Sequence, residues 1–339
     1  MRNINFSVIG FGRIGKRHSK IIHEYEYSSL ISIVDIDEQQ LDGAADLDIT
    51  AKKHSSIENF LENDAHSSDV VCIATPNGLH TKYATQLLNA GYHVVIEKPM
   101  GITKEACLEV IGAQEASGKR VFVVKQNRYS PPSVWMKGII DKKLIGDVLM
   151  VQVNCYWNRD ERYYGNTTWR GTKDMDGGAL YTQFSHFVDL MYWVFGDIKK
   201  PKSVIKNFTH PDLKDFDDSG FAQFEFVEGG IGSMNYSTSC WDKNMESSIT
   251  VVGTKGSFKV GGQYMNEVEY CHIEDYEMPV LEETNPPNDY GPFKGSAANH
   301  HYVIENVLET LNGKSEATAN AFEGMKVVSI IEQIYNASK

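Results

Sequence analysis

The sequence predicts a two-domain α/β protein, with a parallel sheet flanked by helices first and a mostly antiparallel sheet after it. Three observations carry this. The first third alternates short apolar runs with amphipathic stretches, the pattern of a parallel α/β sheet. Gly10-Phe11-Gly12-Arg13-Ile14-Gly15 falls between the first such run and the first helical stretch. Beyond about residue 126 the texture changes to apolar–polar alternation broken by glycine turns. At 339 residues the chain exceeds what one hydrophobic core usually supports. The domains are expected at 1–125 and 126–339.

Ile4 to Ile9 is the first strand, followed by the glycines and a helix from Ile14 to about Tyr25. Leu30 to Val34 is the next strand and ends at Asp35. Ser56 to Leu61 begins a short helix, and Val70 to Ala74 is a buried strand. His80 to Ala90 is helical and stops at Gly91, after which Tyr92 to Ile96 is a strand. Thr103 caps a helix with Ala106, Cys107, Val110 and Ile111 on one face, ending at Gly118. Val121 to Val124 makes a further strand. In the second domain, Met150 to Tyr156, Phe221 to Val227, Gly232 to Thr238 and Ile249 to Val252 form the mostly antiparallel sheet. The aromatic helix around His186 to Val194 is expected to pack on it. Residues 282–299, rich in Asn, Pro and Gly, read as a long loop that covers a site.

The hydrophobic share of 41% and charged share of 23% are ordinary for a soluble globular enzyme. A net charge of −12 argues against nucleic-acid or acidic-membrane partners, which need a broad basic surface. It leaves room for a local arginine cluster. The five cysteines, Cys72, Cys107, Cys155, Cys240 and Cys271, are scattered and form no Cys-x-x-Cys pair, so neither a disulfide framework nor a metal is expected. No apolar run reaches membrane-spanning length, and the chain opens directly on a strand. Cytoplasmic residence is the expectation.

A bare glycine pattern is weak, but its position between strand and helix gives each glycine a task. Gly10 permits the tight turn, Gly12 lets the backbone approach a pyrophosphate, and Gly15 allows close helix packing, with phosphate at the helix N-terminus. Asp35 lies twenty residues beyond Gly15, where a carboxylate accepts from adenosine ribose hydroxyls. The same charge repels a 2′-phosphate, so NAD is favoured over NADP. Arg13 is placed to touch the phosphates, and Thr75-Pro76-Asn77 to wall the nucleotide crevice.

Glu97-Lys98-Pro99 ends the apolar run Val94-Val95-Ile96, putting Lys98 at the carboxyl end of a buried strand, where open parallel sheets bind ligands. Alone, it would be a strand-end charge facing water. His186 and Asp189 lie three residues apart, on neighbouring positions of one helix face. Alcohol oxidation requires loss of the hydroxyl proton as hydride leaves for a nicotinamide. Histidine suits the base, and a lysine stabilises developing oxyanion character. A charged Lys98 would also favour neutral His186. Arg159, Arg162, Tyr163, Tyr164, Trp169 and Arg170 concentrate guanidinium and aromatic groups in an acidic chain. Such groups fit an anionic, sugar-like ligand, although a subunit interface is enriched in the same types.

These pieces in this order resemble the glucose–fructose oxidoreductase/inositol dehydrogenase/MocA (Gfo/Idh/MocA) family over nearly the whole chain. The resemblance implies an N-terminal Rossmann dinucleotide-binding domain and a C-terminal α/β domain with an open, mostly antiparallel sheet, often used for oligomer contacts. It implies NAD(P)-linked oxidation or reduction of sugar hydroxyls, with the family's lysine at Lys98 and its histidine at His186. Gln126-Asn127-Arg128-Tyr129, Tyr163-Tyr164 and Trp169-Arg170-Gly171-Thr172 look like the branch of UDP-N-acetyl-2-amino-2-deoxy-D-glucuronate 3-dehydrogenases. Members of that branch serve surface-polysaccharide (lipopolysaccharide) synthesis, and their keto product is aminated by a partner aminotransferase. Two positions depart from the pattern. Thr182 stands where relatives have Asp or Asn, removing an anionic partner for His186, and Phe184 stands where glycine is common, reshaping the pocket.

The expected NAD contacts are therefore Gly10, Phe11, Gly12, Arg13, Ile14, Asp35, Ile36, Thr75, Pro76, Asn77, His80, Glu97, Lys98, Gln126, Trp169 and Arg170. The expected substrate contacts are Lys98, Asn127, Arg159, Tyr163, Tyr164, Arg170, Thr182, Gln183 and His186. A homodimer or homotetramer is expected. Competing readings are a dehydrogenase of a free sugar or inositol, which would tolerate loss of Arg159, and a nucleotide sensor without turnover.

Overall fold

The computed structural model describes residues 1–47, 49–64, 66–165, 168–213 and 216–339. The chain divides into two compact units: Met1–Lys125 with His300–Val328, and Gln126–Asn299 with Ser329–Lys339.

The first unit is built on β1 (Ile4–Ile9), β2 (Ser28–Val34), β3 (Lys52–His54), β4 (Val70–Ile73), β5 (His93–Ile96) and β6 (Val121–Val123). Every neighbouring pair is parallel, in the order β3-β2-β1-β4-β5-β6. Strand order reverses between β1 and β4, so the turns after these two strands border the crevice where such sheets bind nucleotides. The middle strands are buried on both faces, which is why they read as continuous apolar runs. Each fully buried Val or Ile contributes about 1.5–3 kcal/mol. Around the sheet lie α1 (Arg13–Glu24), α2 (Glu38–Asp42), α3 (Ile57–Asn63), α4 (His80–Asn89) and α5 (Lys104–Ser117). Ser56 caps α3 by accepting from the Asn59 amide, and Thr103 caps α5 by accepting from Ala106. Gly118 closes α5 in the left-handed conformation at φ +66°. The polar strand β3 had no apolar signal; pairing Ser32 with Lys52 and Val34 with His54 makes it.

The second unit carries β7 (Val148–Tyr156), β8 (Ile198–Lys206), β9 (Ser219–Phe226), β10 (Ile231–Ser237), β11 (Glu246–Gly253), β12 (Gly256–Gly261) and β13 (Glu267–Ile273). They form one sheet in the order β13-β12-β11-β7-β10-β9-β8, antiparallel except where β7 meets β10. The helices here are α6 (Pro131–Asp141), α7 (Glu161–Tyr164), α8 (Ala179–Thr182) and α9 (Ser185–Phe195). Alternate residues Val151, Val153 and Cys155 of β7 are fully buried, and α9 packs on this strand. Trp157 meets Phe184 and Phe187 edge-on, each at 5.6 Å between ring centres. The stretch 282–299 is not the uninterrupted loop its composition suggests. It holds a hairpin of β14 (Pro287–Asp289) and β15 (Lys294–Ala297), tied by Asn288 donating to the Ser296 carbonyl at 2.9 Å.

The second domain expected at 126–339 is divided. Residues 300–328, with α10 (His300–Leu311) and the start of α11 (Ala321–Asn336), belong to the first unit. The apolar residues Val303, Ile304, Val307 and Leu308 of α10 are buried, and this helix packs against α1. Val123 donates its amide to the Ala319 carbonyl at 3.0 Å, which anchors the returning chain beside β6.

Candidate active site

In the first unit the glycines do what their spacing requires. Gly10 has φ +88°, and a Cβ there would lie 2.6 Å from the Ala74 carbonyl oxygen. A Cβ on Gly15 would lie 1.8 Å from the Gly10 carbonyl oxygen, so close helix packing excludes any side chain. A Cβ on Gly12 would meet nothing within 4 Å. The backbone at Gly12 thus borders open space at the start of α1, whose N-terminus no side chain caps. Amide donors and the helix dipole there suit a pyrophosphate.

Phe11 is buried in an apolar cluster with Ile33, Leu41 and Ala44. That packing aims its amide at Asp35, which accepts from Phe11 at 2.6 Å on one oxygen and from Asp37 at 2.9 Å on the other. Two backbone donors therefore orient the carboxylate, whose remaining lone pairs can take ribose hydroxyls. Ile36 is 88% exposed beside it and offers an apolar surface for a base. Arg13 is exposed and Ile14 half-buried on the first turn of α1. This set fits a dinucleotide.

His80 and Glu97 are both buried and hydrogen-bonded within the first unit. His80 is buried, with Nδ1 2.7 Å from the Pro99 carbonyl and Nε2 2.8 Å from the Thr75 carbonyl. It braces the Thr75-Pro76-Asn77 turn against the Glu97-Lys98-Pro99 turn. Burial pushes its pKa down, against the pull of the two carbonyls. Glu97 is buried and accepts from His18 Nε2 at 2.7 Å and from the Lys98 amide at 3.1 Å. His300 Nε2 lies 3.8 Å from the same Glu97 oxygen. Burial works against the Glu97 charge, but the His18 bond and neighbouring positive groups, Lys98 among them, hold its pKa down at about 2. Burial pushes His300 down to about 3. Lys98 itself is partly buried, two residues beyond the end of β5.

In the second unit, Gln126, Asn127 and Arg128 lie in a buried helical turn. Gln126 Nε2 donates to His186 Nε2 at 3.4 Å, which leaves that ring nitrogen an acceptor, as a base requires. Asn127 donates to Ser296 at 3.3 Å. Asp189, one turn beyond His186, is gripped by Arg128 through two bonds of 2.9 and 2.8 Å. The sequence reading gave Arg128 no role. Its only signal was a position within the motif.

Arg159 is buried, and among the described residues its hydrogen-bond acceptors are all neutral: Gln183 Oε1 at 2.7 Å, the Asn158 carbonyl at 2.5 Å, Asn244 Oδ1 at 3.1 Å and the Lys294 carbonyl at 3.0 Å. Its guanidinium lies 4.8 Å from the Trp157 ring centre, 4.9 Å from Phe293 and 5.6 Å from Tyr163. Burial lowers its pKa to about 10, well above neutrality, so it stays charged. Arg170 covers the same Tyr163 ring at 4.0 Å and donates to the Tyr163 carbonyl at 2.9 Å. Among the described residues neither arginine forms an ion pair with a carboxylate. Tyr163 accepts from Gln183 at 2.8 Å. Tyr164 instead sits against His210 and Phe216, and Trp169 lies beside Arg170.

Both departures from the family pattern have structural answers. Phe184 is buried among Trp157 and Tyr236. Thr182 donates to the carboxylate of Asp176, a residue the sequence reading overlooked. Burial raises the Asp176 pKa to about 6, against bonds from Thr182, Gly171 and Gly178. Among the described residues no cluster of His, Cys, Asp or Glu is placed to hold a metal ion, and no helix is long and apolar enough to cross a membrane.

Comparison with known proteins agrees with this geometry. Residues 4–125 match the oxidoreductase family with an NAD-binding Rossmann fold, and residues 134–259 match the GFO/IDH/MocA C-terminal domain. The WlbA dehydrogenase of Chromobacterium violaceum, solved with NADH and UDP-GlcNAcA, is 30% identical with a TM-score of 0.89, covering 100% of this chain and 94% of its own. The WlbA dehydrogenase of Bordetella pertussis, solved with the same two ligands, is also 30% identical, with a TM-score of 0.87 and coverage of 99% and 97%. Oxidoreductase P35 of Formosa agariphila is 25% identical over 83% of this chain and 89% of its own length. The chain is thus an NAD-dependent, sugar-type oxidoreductase of the Gfo/Idh/MocA family.

Proposed function

We propose that this enzyme oxidises the C3 hydroxyl of UDP-N-acetyl-2-amino-2-deoxy-D-glucuronate, or a closely similar nucleotide-linked uronate, in surface-polysaccharide synthesis. One observation carries the reading: Arg159 and Arg170 both lie against the Tyr163 ring and, among the described residues, have only neutral hydrogen-bond partners. A buried guanidinium without a counter-charge is costly unless an anion completes it. A planar fork suits a carboxylate or diphosphate. The UDP-GlcNAcA bound by the two WlbA relatives supports the same class. In this reaction His186 takes the hydroxyl proton while Lys98 polarises the oxygen. A bound NAD would supply the acceptor for the C3 hydride, and the ketone so formed would suit a partner aminotransferase.

The test incubates purified enzyme with NAD and candidate UDP-sugars. A keto-sugar by mass and reduced cofactor by absorbance are expected with a uronate, and Arg159→Ala should raise KM roughly tenfold or more. Product from free sugars or inositol alone, with Arg159→Ala unimpaired, would replace this reading with the free-sugar one. A homodimer or homotetramer is supported by exposed apolar neighbours on the second sheet: Val204 beside Phe221, and Ile231, Met150 and Val252 in register. Sedimentation at enzyme concentration tests it.

A further inference from the structure

Asp176 is fully buried between the two arms that support Tyr163. On one arm, Oδ2 accepts from the Gly171 amide at 2.8 Å, next to Arg170. The Asp176 and Gly177 amides both return to the Thr172 carbonyl, at 3.0 and 3.1 Å, closing this loop on itself. On the other arm, Oδ1 accepts from the Thr182 hydroxyl, next to Gln183. Each arm then reaches the same tyrosine: Arg170 donates to its carbonyl and Gln183 to its hydroxyl. Gln183 also holds Arg159. One carboxylate thus joins the segments that set both arginines. We propose that Asp176 is a positioning residue for the anion-binding arginines, holding the Arg170 loop and the Thr182–Gln183 segment in register. This rests on the anionic-sugar reading above.

Among the described residues, titratable groups that face Asp176 include Tyr163 and Tyr164 from α7 and Asp217 from the segment before β9. Asp176 reaches Arg159 by way of Thr182 and the neighbouring Gln183, whose side-chain oxygen accepts from Arg159. With its pKa near 6, Asp176 loses acceptor strength as the solution is acidified through that value.

The probe is D-glucuronate, a sugar bearing a bare carboxylate, titrated by calorimetry into the NADH-loaded enzyme across the neutral and mildly acidic range. Wild type is expected to bind, and more weakly as pH falls through about 6. Asp176→Asn should bind roughly tenfold more weakly, with little dependence on pH in that range. Thr182→Val, which removes only the hydroxyl tie, should shift affinity in the same direction by less, and it serves if Asp176→Asn does not fold. Equal affinity and equal pH dependence in the variants would overturn the proposal, as would a wild type that binds no glucuronate. Turnover of nucleotide uronates is read separately. Its absence alongside the expected binding pattern counts against the substrate assignment and leaves Asp176 in its role.

Discussion

Arg128 and Asp189 meet as a two-bonded pair at 2.9 and 2.8 Å, both side chains at most 1% exposed. The pair joins the Gln126–Tyr129 turn to α9, and so fixes the two segments that carry Gln126 and His186. Removing one partner strands the other charge in the interior, which costs about 3–5 kcal/mol. Arg128→Met and Asp189→Asn should each lower urea stability by that order, and Arg128→Lys should not restore it, because an ammonium lacks the planar fork. Losses below about 1 kcal/mol would mean the pair is solvated in solution.

The Glu97 cluster makes stability fall in acid, and the sign follows from its two depressed pKa values. His300 titrates at about 3 in the fold against an ordinary 6.5, so below about pH 6.5 the unfolded chain takes up a proton that the fold refuses. Glu97 titrates at about 2 against an ordinary 4.5, so its contribution is present above about pH 4.5 and is lost as pH falls towards 2. Chemical unfolding measured across this window should show stability declining with acid. His300→Asn should flatten the upper part, between about 6.5 and 4.5. An unchanged slope in that variant would assign the acid sensitivity elsewhere.

Asp35 is oriented by the Phe11 and Asp37 amides, and in its proposed place beside the adenosine ribose it would repel a 2′-phosphate. Asp35→Ser should narrow the preference for NAD over NADP by roughly tenfold or more, chiefly through KM for NADP. The ratio of kcat/KM for the two cofactors measures this. An unchanged ratio would leave Asp35 as a support for the Phe11 turn only.

How legible each part was depended on whether its cause is local. Strands β1, β4 and β5 are buried on both faces and spell themselves out as apolar runs, and Gly10, Gly15 and Asp35 answer to spacing within one strand–helix unit. The strand Lys52–His54 owes its form to pairing with β2, which composition does not reveal. The hairpin inside 282–299 was hidden by loop-like residues. The return of residues 300–328 to the first unit depends on α10 meeting α1, far away in sequence. In the site, the arginine and aromatic cluster was visible, but which arginine is paired was not. Arg128 and Asp189 stand 61 positions apart, and only the fold distinguishes that paired guanidinium from Arg159, which meets neutral acceptors. Thr182 looked like a lost carboxylate until the chain brought Asp176 to its hydroxyl.

Lys98 is the sharpest test of the catalytic assignment, because its surroundings separate chemistry from cofactor binding. Its backbone is held by Glu97, and the turn that follows is braced by His80 through the Pro99 carbonyl. Neither contact needs the lysine ammonium. Lys98→Met should therefore keep the turn, and NADH affinity should change by no more than about threefold. Loss of the charge proposed to steady the developing oxyanion should lower kcat by about a hundredfold or more. His186→Asn should lower it by about a hundred- to ten-thousandfold, because it removes the proposed base. Stopped-flow hydride transfer with NADH fluorescence titration separates the two quantities. If Lys98→Met weakened NADH binding and turnover by the same factor, the lysine would be a structural element of the cofactor turn, and the oxygen-polarising role would pass to another group.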